Sequence, residues 1–241
     1  MDPVVCCVKW GTKYPARYAN ALHGMVQRNL GSPHDFVCLT DDPSGLDKAI
    51  LPVPLPDELH GYWNKISLFK RGVFELGRTI VYLDLDVVVV GPLDFLLEDL
   101  GGFRIARHLG VKGGFNSSVM RFQADQHANI YESFIDRAGE IVTSGRYVGD
   151  QDWIYEQVRD ATFFRAGKIV SYKKDLNSHV FPFAKKAGLK FHWIRAPAWM
   201  TVSPPQGASI VVFHGKPDPE DVMDRPYGPW KRAPFVKENW W

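Results

Sequence analysis

The sequence predicts an α/β fold built on an open, mixed but mainly parallel sheet. Three observations carry that reading. From Val4 to Val90, short β-branched runs alternate with segments of helical spacing, the pattern that sets successive strands side by side and parallel. Those strands read as unbroken apolar runs, as expected where both faces of a sheet are covered. And 241 residues, 45% of them apolar, suffice for a sizeable core.

Val4–Val8 is the first predicted strand, with Cys6 and Cys7 inside it. From about Tyr14 to Leu30, the spacing of Tyr18, Leu22, Met25, Val26 and Leu30 predicts a helix that stops at Gly31. Asp35–Leu39 reads as a second strand, followed by a turn-rich stretch, and Ala49–Val53 as a short third. Trp63–Leu76 reads as a helix ending at Gly77, with Ile66, Phe69, Val73 and Phe74 on one side. Ile80–Val90 then reads as one buried strand. The second half is less regular. Arg104–Arg107, Ser118–Phe122 and Ile210–Phe213 read as strands, Asn129–Ala138 and Asp150–Arg159 as helices. No repeat or low-complexity linker divides the chain, so residues 1–241 are expected to form one domain. The tail 218–241, rich in Pro and aromatics, is expected to pack on it in extended form.

A formal net charge of +2 supplies no field that would favour nucleic acid. The three cysteines, Cys6, Cys7 and Cys38, lie in apolar runs and read as small buried hydrophobes in a reducing compartment. The Met1-Asp2-Pro3 start carries no signal-peptide pattern, and no apolar stretch approaches a membrane span. A cytoplasmic location follows as an expectation.

The chemistry concentrates at Asp84-Leu85-Asp86, inside the apolar run. Residues two apart on a strand share a face, so both carboxylates would repel each other where burial costs most. A divalent cation relieves both problems, and hard oxygen ligands suit magnesium or manganese. The alternatives are a capped turn, or pairing with Lys or Arg. Later, the Ser209–Phe213 run ends in His214-Gly215-Lys216-Pro217. Gly allows close approach of a ligand, and Lys supplies a compact positive charge suited to phosphate. If His214 joins the two aspartates, the ligand set shifts toward manganese. A polar strand terminus is the plain alternative.

Four motifs occur in order: Asp84-Leu85-Asp86, Phe115-Asn116-Ser117-Ser118-Val119, Gly149-Asp150-Gln151-Asp152-Trp153 and His214-Gly215-Lys216-Pro217. With them the chain resembles the GT-A nucleotide-sugar glycosyltransferases, most closely the glycogenin and bacterial lipopolysaccharide galactosyltransferase group, over roughly residues 4 to 217. The resemblance implies a Rossmann-like GT-A domain and a manganese-dependent transferase using a nucleoside-diphosphate sugar, usually UDP-linked. It implies Asp84, Asp86 and His214 as metal ligands and Gly215 and Lys216 at the diphosphate. Val8, Lys9, Trp10, Gly11 and Tyr14 would hold base and ribose. Lys65 would stand near donor phosphate or sugar, Asn116 and Ser117 at the donor sugar, and Asp150 at its hydroxyls. The similarity to retaining transferases makes Gln151 the polar neighbour of the cationic sugar, with Asp152 capping the following helix. An inverting reaction would instead make Asp150 or Asp152 the base.

One departure is visible: the family's His-x-x-Gly-x-x-Lys-Pro is shortened here to His-Gly-Lys-Pro, so the loop over the diphosphate must differ. Two rivals remain. Asp84-Leu85-Asp86-Val87-Val88 fits the nucleophile motif of haloacid-dehalogenase-type phosphatases, though that motif normally opens its fold's first strand. A non-catalytic nucleotide-sugar binder is the other. Acceptor contacts, whether glycan or lipid-linked, are expected on Arg165–Trp199 and the tail. The basic and aromatic mixture there (Trp230, Lys231, Arg232, Phe235, Lys237, Trp240, Trp241) suits either packing on the fold or peripheral contact with the inner face of a membrane.

Overall fold

The computed structural model describes residues 1–98, 101–108, 113–177 and 196–241. Its first strand, β1 (Val4–Lys9), lies parallel to β2 (Asp35–Thr40), and β2 to β3 (Leu51–Pro54). On its other side β1 pairs with β4 (Thr79–Leu83), again in parallel. β7 (Phe115–Gln123) runs antiparallel to β4, β6 (Arg104–Arg107) antiparallel to β7, and β8 (Thr162–Phe163) parallel to β6. The seven-stranded sheet thus has the order β3-β2-β1-β4-β7-β6-β8. The predicted α/β class and mixed, mainly parallel sheet are both present.

The apolar runs are buried on both faces, as their composition predicts. Val5, Cys7, Val81 and Leu83 pack toward helix α1 (Ala16–Asn29), whereas Val4, Cys6, Val8, Ile80 and Tyr82 pack toward the other side. That second side is closed by residues Gly61–Phe69 and by helices α2 (Asn129–Asp136), α3 (Ala138–Thr143) and α4 (Asp150–Gln157). All three cysteines are buried and free.

Three expectations are corrected. The run Ile80–Val90 is not one strand. It breaks at Asp84-Leu85-Asp86, and β5 (Val87–Val89) joins a separate three-stranded sheet with β10 (Ile210–Val212) and β9 (Ile169–Ser171). The physical reason is the carboxylates: two charges leave the sheet interior at a turn, while Leu85 stays buried. The helix expected over Trp63–Leu76 is a 3₁₀ helix that ends at Phe69. Lys70 is extended and Gly72 takes φ +77°, so the helical spacing of Val73 and Phe74 serves a turn instead. The tail packs on the fold, but not in extended form. It holds two short helices, α5 (Pro219–Val222) and α6 (Pro234–Asn239), each with Pro in its first turn. Val222, Ala233, Phe235 and Val236 join the core on the α1 side. Gly24 on α1 permits the approach, since a Cβ there would lie 2.5 Å from the Trp241 carbonyl oxygen. Among the described residues, no helix is long and apolar enough to cross a membrane.

Candidate active site

Strand order reverses between β1 and β4, where open α/β sheets bind ligands beyond their strands' carboxyl ends. A groove lies there. It consists of three cavities of about 460, 160 and 280 Å³ with shared walls. The first is bounded by Trp10, Gly11, Asp41 and Asn64, the second by Val8, Trp10, Tyr14, Asp84 and Asp86. The third is bounded by Asn116, Ser117, Asp150, Gln151 and His214. Lys65, Asp84, Asp150 and Tyr62 line both the second and the third.

Asp84 follows the last residue of β4, and its N–H donates to the Ser118 carbonyl at 2.9 Å, so the antiparallel β7 fixes its position. Lys65 reaches it from the 3₁₀ helix. Its Nζ lies 3.0 Å from Asp84 Oδ1 and 3.2 Å from Asp150 Oδ2, and donates to Ser117 Oγ at 3.1 Å. Ser117 Oγ in turn donates to Asp150 Oδ2 at 2.6 Å, and the Tyr82 hydroxyl donates to Asp84. Burial alone would lower the Lys65 pKa, but the Asp150 and Asp84 carboxylates overcome it and raise it. The ammonium is therefore permanently charged and clamps the turn to the start of α4.

Asp86 is held differently. Its Oδ2 accepts from the Tyr14 hydroxyl at 3.1 Å, a hydroxyl that also stands 3.4 Å from Asp218 Oδ1. Burial, then the Asp84 charge, pushes its pKa up to about 7. His214 follows β10, with Nε2 at 2.9 Å from Ser171 Oγ and its carbonyl accepting from Lys173 Nζ at 2.7 Å. Burial and the Lys173 and Lys174 charges lower its pKa, favouring the neutral imidazole that ligates metals.

Most of the expected site residues therefore line one groove. Lys9 does not reach it, since its buried side chain donates to the Asp42 carbonyl at 2.9 Å. Lys216 is also absent from these walls. It pairs with Asp218 at 2.7 Å and Asp221 at 2.9 Å, with 57% of its side chain exposed. Gly215, just before it, takes φ +58°, the left-handed region that favours glycine. Asn116 and Ser117 belong to β7 rather than to a turn. Asp152 accepts from the Val148 N–H at 2.8 Å and so secures the start of α4, whereas Gln151 lines the cavity. Tyr62, Tyr82, Ser171 and Lys173 complete the surroundings without any sequence motif to mark them. The acceptor segment Arg165–Trp199 lies partly outside the described residues.

Among the described residues, no three His, Cys, Asp or Glu side chains converge closely enough to hold a metal ion. The donor types nevertheless fit one. Asp84 and Asp86 line one cavity, Asp84 and His214 the next, and the half-buried Asp86 carboxylate stands beside a like charge with the Tyr14 hydroxyl as its hydrogen-bond donor.

No family model matches the sequence, and no curated protein does. Solved structures do match. The glycosyltransferase GlyE of Streptococcus pneumoniae TIGR4 superposes with a TM-score of 0.64 at 16% identity over 95% of this chain, which spans 59% of GlyE. The galactosyltransferase LgtC, solved with donor and acceptor sugar analogs, gives 0.55 at 12% identity over 90% of this chain and 88% of its own. Mouse xyloside xylosyltransferase 1 gives 0.53 at 12% identity over 90% and 98%. The chain has the GT-A fold, the Rossmann-like architecture on which these glycosyltransferases are built.

Proposed function

We propose that the protein transfers a sugar from a nucleoside-diphosphate donor, UDP-linked in the first instance, to a hydroxyl of a glycan or lipid-linked acceptor. The observation that carries this reading is the groove at the β1/β4 reversal, where Asp84, Asp86, Asn116, Asp150, Gln151 and His214 converge on a fold shared with glycosyltransferases. Asp84, Asp86 and His214 would hold manganese, with magnesium as the alternative, and the bound metal would neutralise charge that builds on the leaving diphosphate. Val8, Trp10 and Gly11 bound the half of the groove suited to base and ribose. Lys65 holds Asp84 and Asp150 in fixed relation, so that Asp150 faces sugar hydroxyls from a position set by β7.

Which carboxylates are engaged supports retention of anomeric configuration. An inverting reaction needs a base opposite the leaving group. Asp150 is paired with Lys65 and accepts from Ser117, and Asp152 is bound to backbone. Gln151 offers an amide oxygen that steadies a cationic sugar without being a good base, and the departing phosphate takes the acceptor proton.

The test is incubation with UDP-sugars and manganese, reading UDP release and, by proton NMR, the first-formed product. Release of UDP and an α-linked product from an α-linked donor are expected. A β-linked product would reverse the stereochemical assignment. Tight binding without release would leave a non-catalytic binder, and hydrolysis of aryl phosphates instead would favour the phosphatase reading.

A further inference from the structure

The leaving diphosphate needs a cation, and the lysine that the motif points to is already engaged. Lys216 is latched to Asp218 and Asp221, mostly exposed, and absent from the walls of the groove. Another ammonium stands behind His214. Lys173 belongs to the single turn that follows β9, and β9 is hydrogen-bonded in parallel to β10, which ends one residue before Phe213 and His214. That pairing sets the Lys173 Nζ 2.7 Å from the His214 carbonyl and 3.8 Å from where a Cβ on Gly215 would sit.

An ammonium has three protons to donate, and one backbone carbonyl takes one of them. The Trp230 ring lies under the same ammonium at 5.4 Å, which holds it in place without neutralising it. Among the described residues no carboxylate pairs with it. Asp218 and Asp86 face it only at longer range, and its half-buried charge is otherwise uncompensated. Two other ammoniums line the groove: Lys65, which is spent on Asp84 and Asp150, and Lys13, which is exposed over the Tyr14 ring.

We propose that Lys173, at the end of β9, is the cation that binds the donor's diphosphate, in place of Lys216, which fastens the tail. This rests on the nucleoside-diphosphate reading above. A half-buried ammonium with two free protons beside Gly215 fits a phosphate oxygen, for which Lys is a compact charge and Gly a close neighbour.

Calorimetric titration with UDP, and with uridine as the uncharged control, tests it in the presence of manganese. Lys173→Gln is the chosen variant because its amide still donates to the His214 carbonyl while the charge is lost. It should weaken UDP binding by roughly tenfold or more, the worth of a charge-assisted hydrogen bond, and leave uridine binding unchanged. Lys216→Gln and Lys13→Gln should each weaken UDP binding by a smaller factor. A larger loss in either of them, or equal losses of UDP and uridine in Lys173→Gln, would overturn the assignment. A wild-type protein that binds no UDP would remove the donor reading itself and the role of Lys173 with it.

Discussion

The two sheets bring charge to the same groove in different conditions. On the side of the seven-stranded sheet, Lys65 lies within 3.2 Å of two carboxylates that are further tied to Ser117 and Tyr82. On the side of the three-stranded sheet, Asp86 has a tyrosine hydroxyl, His214 a serine hydroxyl and Lys173 a backbone carbonyl. Opposite charges in contact hold one wall rigid, whereas neutral partners leave the other wall's charges available to something brought in. Asp84 and Asp86 are two residues apart, yet the turn assigns one to each condition.

Breaking the first wall should have the largest effect. Lys65→Met leaves Asp84 and Asp150 buried without a counter-charge, and should cost about 3 kcal/mol or more of stability. Urea unfolding measures it as a lower midpoint at unchanged slope. A loss below ~1 kcal/mol would mean that the clamp is no different from a surface pair. Asp86→Asn sharpens the contrast from the other wall. It removes a buried charge from beside Asp84 and should hold stability or raise it by up to ~1 kcal/mol. Manganese should then no longer strengthen UDP binding, which thermal shift with and without the metal reads directly. A destabilisation comparable to that of Lys65→Met would erase the distinction between the walls. The smallest effect belongs to Arg71→Ala. Its contact with Glu132 is as short as any at 2.7 Å but exposed, and should be worth under ~0.5 kcal/mol. A larger value would show that distance, rather than burial, sets what these pairs contribute.

The parts legible in the sequence are those whose signal is local. β1, β2, β10, α1 and α2 carry clear apolar patterning, and each is present close to its expected bounds. The break at Asp84-Leu85-Asp86 could not be read, because β-branched content is equally high on both sides. The carboxylates end β4 at a turn, and which sheet β5 then joins is set by a partner, β10, far along the chain. The 3₁₀ helix at Gly61–Phe69 shares its apolar spacing with an α-helix over so short a span, so periodicity cannot tell them apart. In the site, Lys65, Asp84, Asp150 and Gln151 sit in or near motifs and line the groove. Tyr82 reaches the groove and Ser171 reaches His214 by alternation along ordinary strands, and Lys173 lies in an unmarked turn, so nothing in their neighbours announces them.

The turn between the sheets also dictates an order of assembly. Among the described residues β5 pairs only with β10, and the Phe213 N–H then donates to the Asp86 carbonyl at 3.1 Å. Asp86 thus reaches its final position only when a strand from near the carboxyl end of the chain has closed on it. During synthesis, residues 4–157 already suffice to pair β4 with β1 and β7 and to set the Lys65 clamp. The groove would still lack its second wall until β10 emerged. A ribosome-bound chain should therefore be folded in part well before the groove is complete.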